Sequence, residues 1–245
     1  MNPIIVIPAR MQSTRLPGKP LAEIAGAPMI VHVWRRAVAA AVGPVVVACA
    51  EREIAAVIEA AGGRAVLTRA DHPSGSDRVF EAVEAIDSAR AHDVVVNLQG
   101  DLPLIEPAAI AAALRPLEDA RVDIATLAAV IDNDEDRAAE SVVKVAAALG
   151  GATRVARALY FSRRQIPWGE GPLFHHIGIY AWRRDALARF VALPESALER
   201  RERLEQLRAL EAGMRIDVAL VDTVPLGVDT PADLARVRAL IASTP

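Results

Sequence analysis

Four short runs rich in β-branched residues, IIVI (4–7), VVVA (45–48), AVLT (65–68) and VVVN (94–97), are separated by longer, Ala-rich segments of helical period. Strands without polar alternation are buried on both faces, and connections long enough for a crossover helix join them in parallel. The pattern therefore predicts a doubly wound α/β core with a mostly parallel sheet. Helices are expected at 29–41, 51–61 and 76–89; Gly62-Gly63 supplies the stop of the second, and Pro107 opens another at its first turn. Beyond residue 120 the pattern changes. DIATLAAVI and SVVKVAAAL read as strands, followed by the aromatic-bearing segments ALYFSRRQIPW and HHIGIYAW. A charged helix is predicted from about Leu198 to Glu211, then the strand RIDVALV, then a helix that Thr230 caps and Pro231 begins. No internal repeat or low-complexity linker divides the chain, so residues 1–245 read as a single domain with an inserted substrate and dimerisation subdomain over about 120–195.

Charge and composition narrow the function. With 53% hydrophobic and 24% charged residues in 245, the chain can bury a large core. A net charge of -3 lacks the cationic excess needed to hold nucleic acid by neutralising many phosphates, so no nucleic-acid partner is expected. The opening MNPIIVIPAR has no long apolar region before its Pro and Arg, and no later stretch is apolar enough to cross a bilayer. A soluble, cytoplasmic protein with no membrane partner is the expectation. A single cysteine, Cys49 in VVVACA, reads as a buried, inert thiol suited to a reducing compartment. The five histidines show no zinc-site spacing. Lysine occurs only at Lys19 and Lys144, so both positions carry information.

The strongest local signal is PARMQSTRLPGKP (8–20), directly after the first strand. In an open parallel sheet the ligand crevice lies beyond the carboxyl ends of the strands, where this loop begins. It carries Arg10, Arg15 and Lys19 with Ser13, Thr14 and Gly18 among them, the donors needed to wrap a polyphosphate. It is neither a Walker A loop nor a GxGxxG fingerprint, which counts against a hydrolytic NTPase and a dinucleotide-dependent oxidoreductase. The plain alternative is a solvated basic loop. A second signal, VVVNLQGDLPL (94–104), ends a buried strand in Gln99, Gly100 and Asp101. A carboxylate there is placed to hold Mg2+, which takes few protein carboxylates and keeps its other positions for water and phosphate oxygens; a turn residue is the alternative. In the third, GVDTPADL (227–234), Asp229 either helps cap the following helix or is a second carboxylate for the same metal.

PARMQSTRLPGKPL, TRADHPSGSDR, VNLQGDLP, VVKV, LYFSRRQIPW, HHIGIYAWRR, LEQLRALEAG and VPLGVDTPADL occur in the order found in the 3-deoxy-D-manno-octulosonate (Kdo) cytidylyltransferases, which the chain resembles over nearly its whole length. Relatives that make CMP-sialic acid share the PAR start but not the RLPGKP continuation. The resemblance implies a Rossmann-like fold of the nucleotide-diphospho-sugar transferase type. It also implies the reaction of CTP with Kdo to give CMP-Kdo and pyrophosphate for lipopolysaccharide biosynthesis, with Mg2+ as cofactor and a homodimer built from the aromatic-bearing insert.

Carried over residue by residue, the resemblance sets Pro8 and Ala9 against the nucleotide and has Arg10, Ser13, Arg15 and Lys19 hold the CTP phosphates. Arg15 and Lys19 would lie over the leaving pyrophosphate. Arg69, Ser74, Gly75 and Asp77 would recognise the cytosine and place the nucleotide. Asp101 and Asp229 match the metal-binding aspartates. Gln99, beside the nucleotide, together with Arg163, His176, Tyr180, Glu205 and Gln206, matches positions lining the Kdo pocket, where Arg163 would answer the sugar carboxylate. Catalysis would rest on Lys19, Arg15, Asp101 and Asp229, with no protein nucleophile. Two departures stand out: Leu102 where the family usually has Glu, and Ser141 where Asn is frequent. The competing readings are a cytidylyltransferase for another acidic sugar, such as 8-amino-Kdo or a sialic acid, and a non-catalytic nucleotide-binding module on the same fold.

Overall fold

The structure, a computed structural model, describes residues 1–13 and 15–243; Thr14 of the basic loop lies outside the described residues. The chain forms two compact units, Met1–Ile110 with Pro225–Pro245, and Ala111–Val224.

In the first unit the strands Arg64–Leu67, Val45–Cys49, Pro3–Ala9 and Val94–Asn97 lie side by side in that order, all parallel. Pro3–Ala9 is central, and its Ile5, Val6 and Ile7 are fully buried, as an unalternated apolar run requires. The crossover helices bury one face each: Ile30, Val33 and Ala37 from Met29–Ala39, and Ile54 and Ile58 from Arg52–Ala60. The third helix, Gly75–Ile86, begins one residue earlier and ends sooner than periodicity predicts. Its start is set by Ser74, whose side chain accepts from the N–H groups of Ser76 and Asp77. Its end is set by Asp87, whose carboxylate turns the chain by accepting from the N–H groups of Ala91 and His92, each at 2.9 Å. Cys49 is buried and free, and burial pushes its thiol up to about 11, so it is inert near neutral pH.

The second unit is wider than the 120–195 segment expected from the aromatics, for a reason of pairing. Strand Ile216–Val221 runs parallel to Ile124–Val130, which draws the whole intervening chain into the unit. On its other side Ile124–Val130 pairs antiparallel with Phe174–Arg183. Val155–Ser162 is antiparallel to Ile216–Val221 and to the short strand Lys144–Ala147. This sheet is mixed, and Phe161, Trp182 and Phe190 fill its core.

The continuous helix expected from about Leu198 to Glu211 is two short helices, Ala197–Glu202 and Gln206–Glu211, separated by Arg203 at φ 56. Along a straight helix, residues nine apart would be separated by about 13 Å. The break instead lets Arg208 fork onto Glu199 at 2.8 and 2.6 Å while its guanidinium lies 4.9 Å from the centre of the Phe190 ring. Among the described residues no helix is long and apolar enough to cross a membrane.

Candidate active site

The basic loop leaves the end of the central strand and is closed on itself before its lysine. Gly18, at φ +70, donates to Met11 O at 3.2 Å, and the turn Lys19–Leu21 follows. The left-handed backbone that only glycine adopts freely thus sends the Lys19 side chain back along the cleft. Asp101 follows Gly100, where a Cβ would stand 2.9 Å from Pro8 O; any side chain there would force the acidic loop off the end of the central strand. Asp229 arrives from the far end of the chain. Its segment is tied in by Val228 N–H donating to Asp101 O at 2.9 Å.

These three side chains meet. Lys19 Nζ donates to Asp101 Oδ2 at 2.9 Å and to Asp229 Oδ1 at 3.1 Å, and the Arg15 guanidinium pairs with Asp229 Oδ2 at 3.0 Å. Burial of the Lys19 ammonium works against its charge. The two carboxylates outweigh it and hold the amine above the ordinary lysine range. The side-chain cap of the last helix comes from the neighbour of Asp229. Thr230 caps the last helix through a reciprocal capping box with Asp233, which leaves the Asp229 carboxylate for the cations.

The cleft around this cluster encloses about 390 Å³. Pro8 and Ala9 line it from the end of the central strand, Arg10, Ser13, Arg15 and Lys19 from the loop, Ser74 and Gly75 from the start of helix Gly75–Ile86, and Gln99 and Asp101 from the segment after strand Val94–Asn97. The positive end of helix Gly75–Ile86 opens there as well, adding to the pull on an anion. Arg69 and Asp77 do not line it. Arg69 pairs with Asp71 and Glu81, and Asp77 accepts from the Ser74 hydroxyl at 2.7 Å. Arg78 lines the cleft but was not singled out in the sequence. It is buried, donating to Thr68 Oγ1 at 2.6 Å and Arg69 O at 3.0 Å, and burial lowers its guanidinium's hold on the proton. Its one legible signal was an arginine one turn after a helix cap. Leu102, at the first departure from the family pattern, is buried under the Asp229 segment, 3.7 Å from where a Cβ on Gly227 would lie; Ser141, at the second, is exposed.

A cation fits between the two carboxylates, because the Lys19 ammonium occupies that position within hydrogen-bond distance of both. Among the described residues no group of three or more His, Cys, Asp or Glu side chains could hold a metal. Two carboxylates beside a basic loop suit a hard cation that takes its remaining ligands from phosphate and water.

The sugar-assigned residues other than Gln99 belong to the second unit. Arg163 spends its guanidinium on carbonyls, donating to Glu202 O and Glu140 O at 3.0 Å and to Arg203 O at 3.4 Å. Gln206 is buried, with its amide nitrogen unpartnered. Burial, then the charge of Glu205, lifts the Tyr180 phenol well above its ordinary range. His176 lies 2.9 Å from Thr126 Oγ1, which is also placed to donate to Ile177 O and Ile179 O. The single hydroxyl hydrogen goes to a carbonyl, so His176 Nε2–H is the donor to Thr126. Burial, helped by His175, pushes the ring down to about 3, so His176 is neutral near pH 7 and acts there as a hydrogen-bonding group rather than an acid.

That burial has a measurable consequence. The unfolded chain binds a proton at His176 below about pH 6.5 and the folded chain does not, so stability falls as pH drops through that range. The fold is expected to be about 2 kcal/mol less stable at pH 5 than at pH 7 from this residue alone. Urea unfolding at the two pH values checks it, and His176→Asn should flatten the difference. An unchanged pH dependence in that variant counts against a neutral, buried imidazole.

The cytidylyltransferase family model matches residues 4–216. The chain is 65% identical over 241 residues to the 3-deoxy-manno-octulosonate cytidylyltransferase of Methylorubrum populi, covering 98% of this chain and 97% of that protein. It is 62% identical to the protein of the same name from Paramagnetospirillum magneticum, covering 98% of each. Among solved structures, a CMP:2-keto-3-deoxy-manno-octonic acid synthetase complexed with CTP is similar at 42% identity and a TM-score of 0.90, over 99% of both chains. A cytidylyltransferase from Leptospira borgpetersenii shares the fold at 17% identity and a TM-score of 0.64, over 99% of this chain and 87% of that one.

Proposed function

The chain belongs to the 3-deoxy-manno-octulosonate cytidylyltransferases, and from that premise we propose that it transfers CMP from CTP to the anomeric hydroxyl of Kdo, releasing pyrophosphate. The product, CMP-Kdo, serves lipopolysaccharide synthesis. The observation that carries the reading is the meeting of Lys19, Asp101 and Asp229 at the mouth of a basic loop. A pure nucleotide binder has no use for two acids beside its phosphate site.

Both reactants are anions, and their repulsion strengthens as water leaves the cleft. Arg10, Ser13, Arg15 and Lys19 answer the triphosphate, and the Ser74–Gly75 segment seats the cytidine. Arg15 and Lys19 steady the charge that gathers on the departing pyrophosphate. Asp101 and Asp229 hold Mg2+, which when bound polarises the phosphoryl oxygens and makes the attacking hydroxyl more acidic. We assign sugar recognition to Gln99, Arg163, His176, Tyr180, Glu205 and Gln206. Arg163 retains spare N–H groups for a carboxylate beyond its three carbonyl contacts. Mixing the protein with CTP, Mg2+ and Kdo and following pyrophosphate tests the whole reading, with omission of the sugar as control. No release in the complete mixture refutes it, and faster release with another acidic sugar reassigns the acceptor.

We further propose that the chain works in the cytoplasm as a homodimer joined through its second unit. The outward positions of strand Val155–Ser162 include Val155 at 37% and Leu159 at 68% exposure, and Trp168 of the same unit is 99% exposed. Apolar side chains so open to water are best covered by a second copy. Leu159→Arg with Trp168→Glu is expected to halve the mass measured by light scattering. A parent protein with the mass of one chain would overturn the dimer.

A further inference from the structure

The position assigned to the metal is contested by the protein's own cation. Lys19 Nζ bonds one oxygen of each aspartate, and Arg15 takes the second oxygen of Asp229. Two acids and two bases cancel at this point, so a divalent ion entering alone meets no net negative charge and must displace a well-seated ammonium. A triphosphate changes the balance. Its oxygens offer Lys19 and Arg15 new partners in the same cleft, and its own charge attracts the metal. Lysine suits such an exchange: its ammonium is a compact charge on a flexible stem, with donors that are not bound to one fork geometry. The Lys19 backbone is held independently of the side chain, through its N–H to Leu16 O at 3.1 Å and its carbonyl to Ala22 N–H at 3.1 Å. The ammonium can therefore change partners without unmaking the turn.

We propose that Lys19 is a place-holder for the metal: it keeps the Asp101–Asp229 pair closed to divalent cations until a triphosphate draws it away, so that metal and nucleotide load together. This rests on the assignment of the two aspartates to the metal. Lys19 is then a positioning residue for metal entry as well as a phosphate ligand, and its loss has opposite effects on the two. The protein without nucleotide gains affinity for the cation while its use of CTP declines.

The test is titration of the purified full chain with Mn2+, followed by electron paramagnetic resonance, in the absence of nucleotide. The parent and Lys19→Arg, which keeps the charge, are expected to bind Mn2+ weakly. Lys19→Met is expected to bind at least about tenfold more tightly and to gain thermal stability from the ion, and adding Asp229→Asn to it removes the gain. Equal Mn2+ affinity in the parent and Lys19→Met, or a gain that survives Asp229→Asn, overturns the proposal. The underlying assignment is judged separately by Asp101→Asn and Asp229→Asn in the parent. If these abolish metal-dependent turnover while Lys19→Met shows no gain, the exchange is wrong and the aspartates keep their role. If they leave turnover intact, that role falls and the exchange falls with it.

Discussion

Asp101→Asn and Asp229→Asn are each expected to lower kcat/KM for CMP-Kdo synthesis by on the order of 10³-fold or more, with little change in melting temperature. The size follows from removing one preorganised charge at a centre that must stabilise a phosphoryl transfer between two anions. The small effect on stability follows from exposure. The Asp101 and Asp229 side chains are 30% and 49% exposed, and ion pairs in such surroundings contribute about 0–1 kcal/mol. Because the two acids serve one position, the double variant should be little worse than either single one. Steady-state kinetics with pyrophosphate detection, beside a thermal melt, measures both quantities. Turnover within a fewfold of the parent in either variant, with the fold intact, would remove the pair from the mechanism.

The largest effect on stability is expected in the second unit, at Glu199 and Arg208. Their side chains are only 9% and 13% exposed, and the bidentate pair holds together the two short helices on either side of Arg203. Removing one partner leaves the other charge poorly solvated. Glu199→Ala or Arg208→Ala should therefore cost about 3–5 kcal/mol in urea unfolding, whereas Glu199→Gln with Arg208→Met should recover part of the loss. Burial tends to raise the Glu199 carboxyl. Its bonds from Arg208 and the Ser196 N–H outweigh that and hold it below the usual carboxylate range. The sign of the pH dependence follows. The contribution is full above the unfolded value of about 4.5 and is lost as pH falls from there toward the depressed folded value. A Glu199→Ala protein as stable as the parent, with the same acid midpoint, would show that the pair contributes no net stability.

The broken helix marks a limit of periodicity. LERRERLEQLRAL repeats at helical spacing, but that pattern cannot register Phe190 and Glu199, which together recruit Arg208 and make a left-handed Arg203 worth its strain. Arg78 shows the same limit from the other side. Its place beside the basic loop depends on the hydroxyl of Thr68 and the carbonyl of Arg69, ten and nine positions earlier, in the segment after strand Arg64–Leu67. Ser74, by contrast, was legible as part of the SGSDR segment, yet its hydroxyl caps the helix and engages Asp77, a local role that the family resemblance did not convey.

The amino-acid sequence by itself determined whatever depends on near neighbours: the buried parallel strands, the caps at Thr230 and Pro231, the inert Cys49 and the cationic loop after the first strand. Such features need only a few adjacent residues, because apolar period, fixed φ and side-chain capping act over one or two turns. The tertiary structure alone decided that Lys19 meets acids 82 and 210 positions away, and that the strand at Ile216–Val221 draws the second unit out to Val224. Strand order and register set those distances. They are chosen by the packing of the whole sheet, to which no short stretch of chain has access.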